Sequence, residues 1–193
     1  MVTLNLPRRS FIESLAALPL GLSARPPATL QQTTPAPLAK VAAGEGRGRE
    51  IITLPGGDVL YVKVSSQDSG GALFLTEQPI ARRGTGPPKH YHEEQDEWFY
   101  CLAGEYVIEI GDQRSRLVPG DSVLVPRRVP HAFVYDAPGV GRILVGFAPA
   151  RTIEQFFRDL AKRGQYFGNG TAEEKETARR LYGIVNVGPP LKL

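Results

Sequence analysis

The sequence has few of the residues on which several common protein classes depend. Cys101 is the only cysteine, which excludes an internal disulfide framework and a cysteine-based zinc site. No apolar run approaches the ~18–20 residues of a membrane-spanning helix. Basic residues outnumber acidic ones by only 23 to 20 and are scattered in pairs, so the basic stripe typical of a nucleic-acid-binding protein is missing. With 193 residues, the chain has room for one domain and one or two tails.

Residues 1–24 have the layout of an export signal. A polar start with Arg8 and Arg9 precedes the apolar run 15–22 and the small residues Ser23 and Ala24. The arginine pair resembles a twin-arginine signal, so we expect an exported, periplasmic protein. A short amphipathic helix that stays attached is the alternative interpretation. Residues 25–48 contain four prolines among Gln, Thr, Ala and Gly, and predict a linker.

Residues 49–148 show the pattern of short β-strands. Apolar and polar residues alternate, and turn signals recur about every 8–12 residues. Gly111-Asp112 is typical of a two-residue hairpin turn. No helical segment separates these strands, so the pattern predicts an all-β sandwich or barrel rather than a parallel α/β fold.

Residues 149–193 change to a helical period and predict a C-terminal helical extension. One apolar stripe has helical spacing and consists of Ile153, Phe156, Phe157 and Leu160. Thr152 with Gln155, and Thr171 with Glu174, have the spacing of capping boxes that open two helices. We expect these helices to cover one face of the β domain.

Histidine is scarce, but its placement is informative. The chain has three histidines: His90, His92 and His131. His90 and His92 are two apart, so on a strand both imidazoles project from the same face. Glu97 follows after a short turn, and His131 comes from a distant strand. Three imidazoles and one carboxylate form a typical ligand set for one divalent transition metal (Fe, Mn, Ni, Cu or Zn), and four ligands on an octahedral ion leave two positions open.

The spacing of these residues resembles the paired signature of the cupin superfamily. The first motif reads G-x5-H-x-H-x4-E-x6-G from Gly84 to Gly104, and the second reads G-x5-P-x-R-x2-H from Gly120 to His131. The second motif departs from the family at Arg128, where cupins have glycine, and at Tyr135, where they have asparagine. Because that glycine eases the turn before the histidine, we expect a strained backbone at Arg128. The flanking residues are similar to single-domain cupins grouped with quercetin dioxygenases.

The resemblance implies a small double-stranded β-helix, or jelly-roll, barrel over residues 49–148. It also implies a metal-dependent dioxygenase that acts on a small substrate, aromatic or flavonol-like, with Glu97 as metal ligand and as acceptor of a substrate proton. Two other classes stay open because the fold does not fix the reaction. One is an oxygen-independent isomerase or lyase, and the other is a non-catalytic cupin that binds a small ligand.

Aromatic residues near the predicted ligands suggest a substrate pocket. Strand alternation puts Phe99, Phe133 and Tyr135 on the same side as the ligands, where they form either this pocket or ordinary core. Trp98 and Tyr100 point to the opposite side, where they would pack under N-terminal strands or against a second copy of the chain. Cys101 is expected to be a small core residue.

Overall fold

The computed structural model describes residues 40–165 and 171–193, which form a β-sandwich followed by two helices and a last strand. The β-strands are β1 (Ile51–Thr53), β2 (Val59–Val64), β3 (Phe74–Ile80), β4 (Pro88–His92), β5 (Asp96–Ala103), β6 (Tyr106–Ile110), β7 (Gln113–Leu117), β8 (Ser122–Val125), β9 (His131–Tyr135), β10 (Gly141–Ala148) and β11 (Ile184–Pro190). The helices are α1 (Ile153–Arg163) and α2 (Ala172–Tyr182), and a 3-10 turn spans Arg47–Arg49. Within these residues, no helix is both long and apolar enough to cross a membrane.

The strands form two antiparallel sheets. The first sheet has the order β1-β2-β3-β10-β5-β8, and the second has the order β11-β4-β9-β6-β7. Chain neighbours such as β4 and β5 therefore lie in different sheets, as in a jelly roll. The predicted hairpin is confirmed, because Ile110 pairs with Gln113 across the two-residue turn and Gly111 has a φ of 57°.

The core lies between the two sheets. Alternate residues of β5 and β9 point inward, and the rings of Phe99 and Phe133 meet edge to face with their centroids 5.6 Å apart. Cys101 is fully buried in this core, and its thiol donates to the carbonyl oxygen of Gly104 at 3.5 Å. Burial also raises the pKa of this thiol, which keeps it protonated, so the prediction of a core residue is confirmed.

Helix α1 packs its apolar stripe against the sandwich, as the spacing predicts. Ile153 and Leu160 are buried, and the Phe157 ring lies 5.9 Å from the Phe147 ring of β10. The capping box predicted for this helix is wrong. Thr152 makes no side-chain cap, and the amide of Gln155 donates to Asp159 at 2.9 Å instead.

Helix α2 begins with the predicted capping box. The Thr171 hydroxyl accepts from the Glu174 N–H, and the Glu174 carboxylate accepts from the Thr171 N–H. After α2, residues 184–190 form β11, within the segment for which the sequence pattern predicted a helical extension.

The segments predicted for targeting and linkage lie mostly outside the described residues. These are the export signal over residues 1–24 and the linker up to residue 39. The described end of the linker lies against β2, because the ammonium of Lys63 donates to the carbonyl oxygens of Ala42 at 3.0 Å and Glu45 at 2.7 Å.

Candidate metal centre

Three strands bring the four predicted ligands together between the sheets. His90 and His92 leave the same face of β4, and His131 begins the neighbouring strand β9 directly opposite His90. Glu97 reaches the same point from β5 in the other sheet. One nitrogen or carboxylate oxygen from each of the four residues lies within 4.8 Å of the others. The structure therefore assembles the complete predicted ligand set.

Backbone carbonyls orient two of the imidazoles. A carbonyl oxygen can only accept, so His90 Nδ1–H donates to Pro88 O at 2.8 Å and His131 Nδ1–H donates to Val129 O at 2.9 Å. This arrangement directs the Nε2 atom of each ring toward the cluster. Such outer hydrogen bonds fix the tautomer and the ring orientation of metal-binding histidines.

Glu97 is the electrostatic centre of the cluster. Its Oε2 atom lies 3.0 Å from His92 Nε2 and 2.7 Å from His131 Nε2. Burial alone raises the pKa of Glu97, but the attraction of His131 and His92 outweighs it and holds the pKa below its usual range. Glu97 is only 5% exposed, so the cluster is built around a buried carboxyl group.

The histidines respond to this carboxylate in different ways. Burial, reinforced by the charges of His131 and His92, lowers the pKa of His90 to about 3, so its ring is neutral at physiological pH. Burial also lowers the pKa of His131, but the adjacent Glu97 more than compensates and raises it above the usual value. Both ring nitrogens of His131 face groups that only accept, Val129 O and the Glu97 carboxylate, so a metal ion bound at Nε2 would displace a proton there.

The turn before His131 contains the strained backbone that the sequence predicts. Arg128 has a φ of 66°, in the left-handed region where glycine is favoured. Its N–H donates to the carbonyl oxygen of His92 at 2.7 Å, which ties this turn to the end of β4. The turn therefore links the backbones that carry two of the ligands.

The donor set fits a divalent transition metal. Three imidazoles and one carboxylate suit iron, manganese, nickel, copper or zinc, whereas calcium and magnesium prefer oxygen ligands. The donors are also preorganised, since the side chains of His92, Glu97 and His131 are almost fully buried. The four side chains are therefore suited to hold one such ion.

A cavity of about 400 Å³ opens beside the cluster. His90, His92 and Glu97 line one part of it. Apolar side chains from both sheets and from α1 make up much of the remaining wall, including Phe133, Phe147, Ile153, Phe156, Phe157 and Ile184. This volume lies in the range of cavities that hold small organic ligands.

The structure separates the three residues predicted for the pocket. Phe133 lines the cavity, but Phe99 and Tyr135 do not. Phe99 lies two residues further along β5 than Glu97 and is buried in the core, with its ring 6.2 Å from the His131 ring. Tyr135 is also fully buried; its ring lies 5.2 Å from Tyr106, and its hydroxyl donates to Pro138 O at 3.2 Å. Of the pocket residues predicted from the sequence, only Phe133 keeps that position.

Several residues of the cavity wall were not predicted. Phe156 and Phe157 belong to the apolar stripe of α1. The sequence predicted that this stripe packs against the β domain, but not that it covers a cavity. Asn186 lies on β11, for which the sequence gave no strand signal. Gln78 on β3 also lines the cavity, within a strand predicted only as part of the barrel.

Comparisons with known proteins agree with this arrangement. Residues 80–147 match the cupin domain family, and all four metal ligands fall within that range. A quercetin 2,3-dioxygenase from Bacillus subtilis is 31% identical over 115 residues, which cover 60% of this chain and 33% of the relative. The chain thus spans a third of that relative's length. Protein SchB from Streptomyces halstedii is 26% identical over 123 residues, covering 64% of this chain and 81% of that protein.

Solved structures of cupins are also similar to this chain. An RmlC-like cupin from Shewanella frigidimarina has 23% sequence identity and a TM-score of 0.47, covering 62% of this chain and 99% of that chain. Residues 80–147 therefore match the cupin domain family in sequence and carry the assembled ligand set, and the chain is similar to a quercetin 2,3-dioxygenase.

Proposed function

We propose that the protein is a metal-dependent dioxygenase that acts on a small aromatic, flavonol-like substrate. The observation that carries the proposal is the buried cluster of three histidines and one glutamate at a cavity with phenylalanine walls. The identity of 31% to a protein named quercetin 2,3-dioxygenase supports the oxygenase class.

The four clustered side chains would hold one iron, manganese, nickel, copper or zinc ion. When bound, such an ion supplies open positions at which a substrate oxygen and dioxygen are polarised and brought together. His90 and His131 present Nε2 to the ion because their Nδ1 atoms are bonded to backbone carbonyls. Glu97 contributes negative charge to the site, which suits a divalent cation.

Glu97 has a second proposed role as acceptor of the substrate proton. Its carboxylate lines the cavity, so it can face the hydroxyl of a bound substrate. The phenylalanine wall would contact the aromatic ring and exclude water from the reacting end. The cavity would thus offer a polar, proton-accepting group to the hydroxyl of a phenolic substrate and apolar side chains to its ring.

Oxygen consumption tests this proposal. The chain, reconstituted separately with each of the five metals, is incubated with quercetin or 3-hydroxyflavone in an oxygen electrode cell. We expect consumption that depends on metal and substrate and that is lost in His131→Ala, while the matched variant Cys101→Ala, in the core away from the ligands, retains it. Turnover of a substrate without oxygen would favour an isomerase or lyase. Binding without any product would favour a ligand-binding cupin.

We also propose that the protein is exported to the periplasm. The support is the sequence of residues 1–24, with Arg8 and Arg9 ahead of an apolar run. Expression of the full chain, followed by fractionation and N-terminal sequencing, tests this. A periplasmic product that begins near residue 25 is expected, whereas Arg8→Lys with Arg9→Lys should retain the precursor in the cytoplasm.

A homodimer is the assembly that we propose. Trp98 and Tyr100 lie on the outer face of the first sheet with their rings 5.8 Å apart, and Leu124, opposite Trp98 on the edge strand, is 58% exposed. A second copy would cover these apolar groups in a symmetric contact. Light scattering of the wild-type protein should give a dimer mass, and Leu124→Glu should give a monomer.

A further inference from the structure

Asn186 stands in the cavity beside the metal ligands. Strand β11 pairs antiparallel with β4, so that Asn186 lies directly opposite His90 and Ile184 lies directly opposite His92. Residues opposite each other in such a pair project from the same face, with Cβ atoms about 4.5–5.5 Å apart. Both Asn186 and Ile184 line the cavity. The carboxamide is therefore a direct neighbour of the histidine cluster.

The carboxamide of Asn186 makes no hydrogen bond within residues 40–165 and 171–193. Gln78, a second carboxamide on the cavity wall, is already engaged, since its Nε2 donates to the Thr76 hydroxyl at 3.3 Å. A carboxamide offers two donor hydrogens and an acceptor oxygen. Asn186 thus keeps its full hydrogen-bonding capacity for a molecule in the cavity.

The surroundings of Asn186 make this free polar group informative. Besides His90, which lies opposite it, the cavity wall includes the apolar side chains of Ile184, Phe133 and Phe147. In ligand cavities, a few polar groups on an otherwise apolar wall determine the orientation and the specificity of the ligand. An unpartnered carboxamide there favours ligands that satisfy it, because a ligand without a matching group leaves it desolvated and unpaired.

We infer that Asn186 is a substrate-binding residue. One oxygen of the ligand faces the histidines, and Asn186 hydrogen-bonds a second oxygen substituent next to it. This inference rests on the proposed aromatic ligand, and it assigns a specificity role to the C-terminal strand, outside the residues that match the cupin family. The carboxamide donates to a carbonyl or phenolate oxygen, or accepts from a hydroxyl. Ligands lacking that second oxygen are discriminated against.

Binding of 3-hydroxyflavone to the metal-loaded full chain, measured by titration calorimetry, tests this role. We expect Asn186→Ala to weaken binding about tenfold, the effect of one lost hydrogen bond in an apolar site. Asn186→Gln, which keeps the carboxamide, should restore part of the affinity. The matched control is Val187→Ala, because Val187 is the next residue of β11 and is 49% exposed. Metal content and melting temperature are expected to stay unchanged in all three variants.

Unchanged affinity in Asn186→Ala would overturn the inference, as would a loss of affinity that merely follows a loss of metal. Failure of the wild-type protein to bind 3-hydroxyflavone would overturn it as well. Oxygen uptake is recorded on the same samples. In one outcome, the wild-type protein binds 3-hydroxyflavone in a way that depends on Asn186 and yet consumes no oxygen. That result would refute the dioxygenase and leave the role of Asn186 standing. Oxygen uptake by the wild-type protein, together with an unchanged affinity in Asn186→Ala, would refute the role of Asn186 and leave the dioxygenase standing.

Discussion

Glu154 anchors the first turn of α1 to the sandwich, and its removal should loosen the wall of the cavity. The carboxylate is 6% exposed. It accepts hydrogen bonds from the Ser65 hydroxyl at 2.9 Å, from the Ser66 hydroxyl at 2.6 Å and N–H at 2.8 Å, and from the Arg158 guanidinium at 2.7 Å. Arg158 has a second partner in Glu50, so it stays paired when Glu154 is lost. Ser65 and Ser66, however, would face an empty space.

The size of the effect follows from these contacts. Breaking a buried, hydrogen-bonded ion pair costs about 3–5 kcal/mol, and the remaining partner of Arg158 favours the lower end. We therefore expect Glu154→Ala to lower the free energy of unfolding by about 3 kcal/mol, or the melting temperature by about 6–12 °C. The matched control is Glu176→Ala, because Glu176 makes an exposed pair with Arg179 on α2, and it should cost less than about 0.5 kcal/mol.

The dependence on pH provides an independent check. Burial raises the pKa of Glu154, but hydrogen bonds from Ser66 and Arg158 outweigh it and hold the pKa below the usual value of 4.5. A depressed carboxylate pKa stabilises the folded state above the unfolded pKa, and this contribution is lost as the pH falls through the folded pKa. The difference between wild type and Glu154→Gln should therefore shrink in acid. Urea unfolding at several pH values measures it, and a difference that is below about 0.5 kcal/mol or independent of pH would refute the reasoning.

Three further predictions concern the turn, the wall and the cluster. Arg128→Gly should be about 1 kcal/mol more stable to urea than Arg128→Ala, since only glycine adopts the φ of 66° without strain, and equal stabilities would contradict this. Phe157→Ala should lower the free energy of unfolding by about 2 kcal/mol. It should also weaken 3-hydroxyflavone binding without changing the metal content, because Phe157 lines the cavity. Unchanged binding would show that Phe157 does not contact the ligand. Metal affinity should rise as the pH passes through the raised pKa of His131, because the imidazole proton must leave before the metal binds. Glu97→Gln removes the charge that raises this pKa, so the increase in affinity should occur at lower pH. Metal titrations that show no such shift would contradict the assigned charge states.

The metal centre could be predicted from the sequence because its spacing is short and chemically specific. His90 and His92 share a strand face through the period of two, and this local rule holds in the structure. The approach of Glu97 and His131 depends on tertiary packing, since Glu97 lies in the other sheet and His131 is distant in sequence, and the match to the family motifs supported it. The strained turn at Arg128 was predicted in the same way, from a missing glycine.

The cavity could not be predicted to the same extent, because its wall is built by tertiary packing. Alternation correctly put Phe99 and Tyr135 inside the barrel, but it could not distinguish the filled part of the core from the open part. Strand β11 was missed because Pro189, Pro190 and Gly188 give a weak strand signal. It is tolerated as an edge strand, where proline has no ladder hydrogen bond to supply. Asn186 entered the site only through that pairing.

Metal content is the measurement that tests the account most directly. The full chain is purified without chelators, reconstituted separately with iron, manganese, nickel, copper and zinc, desalted and analysed by elemental analysis. The cluster predicts about one bound ion per chain in the wild type, its loss in His90→Ala, and its retention in Asn186→Ala, which changes the same cavity without removing a ligand. A wild-type protein that retains none of the five metals, or a His90→Ala variant that retains the metal fully, would contradict the metal centre described here.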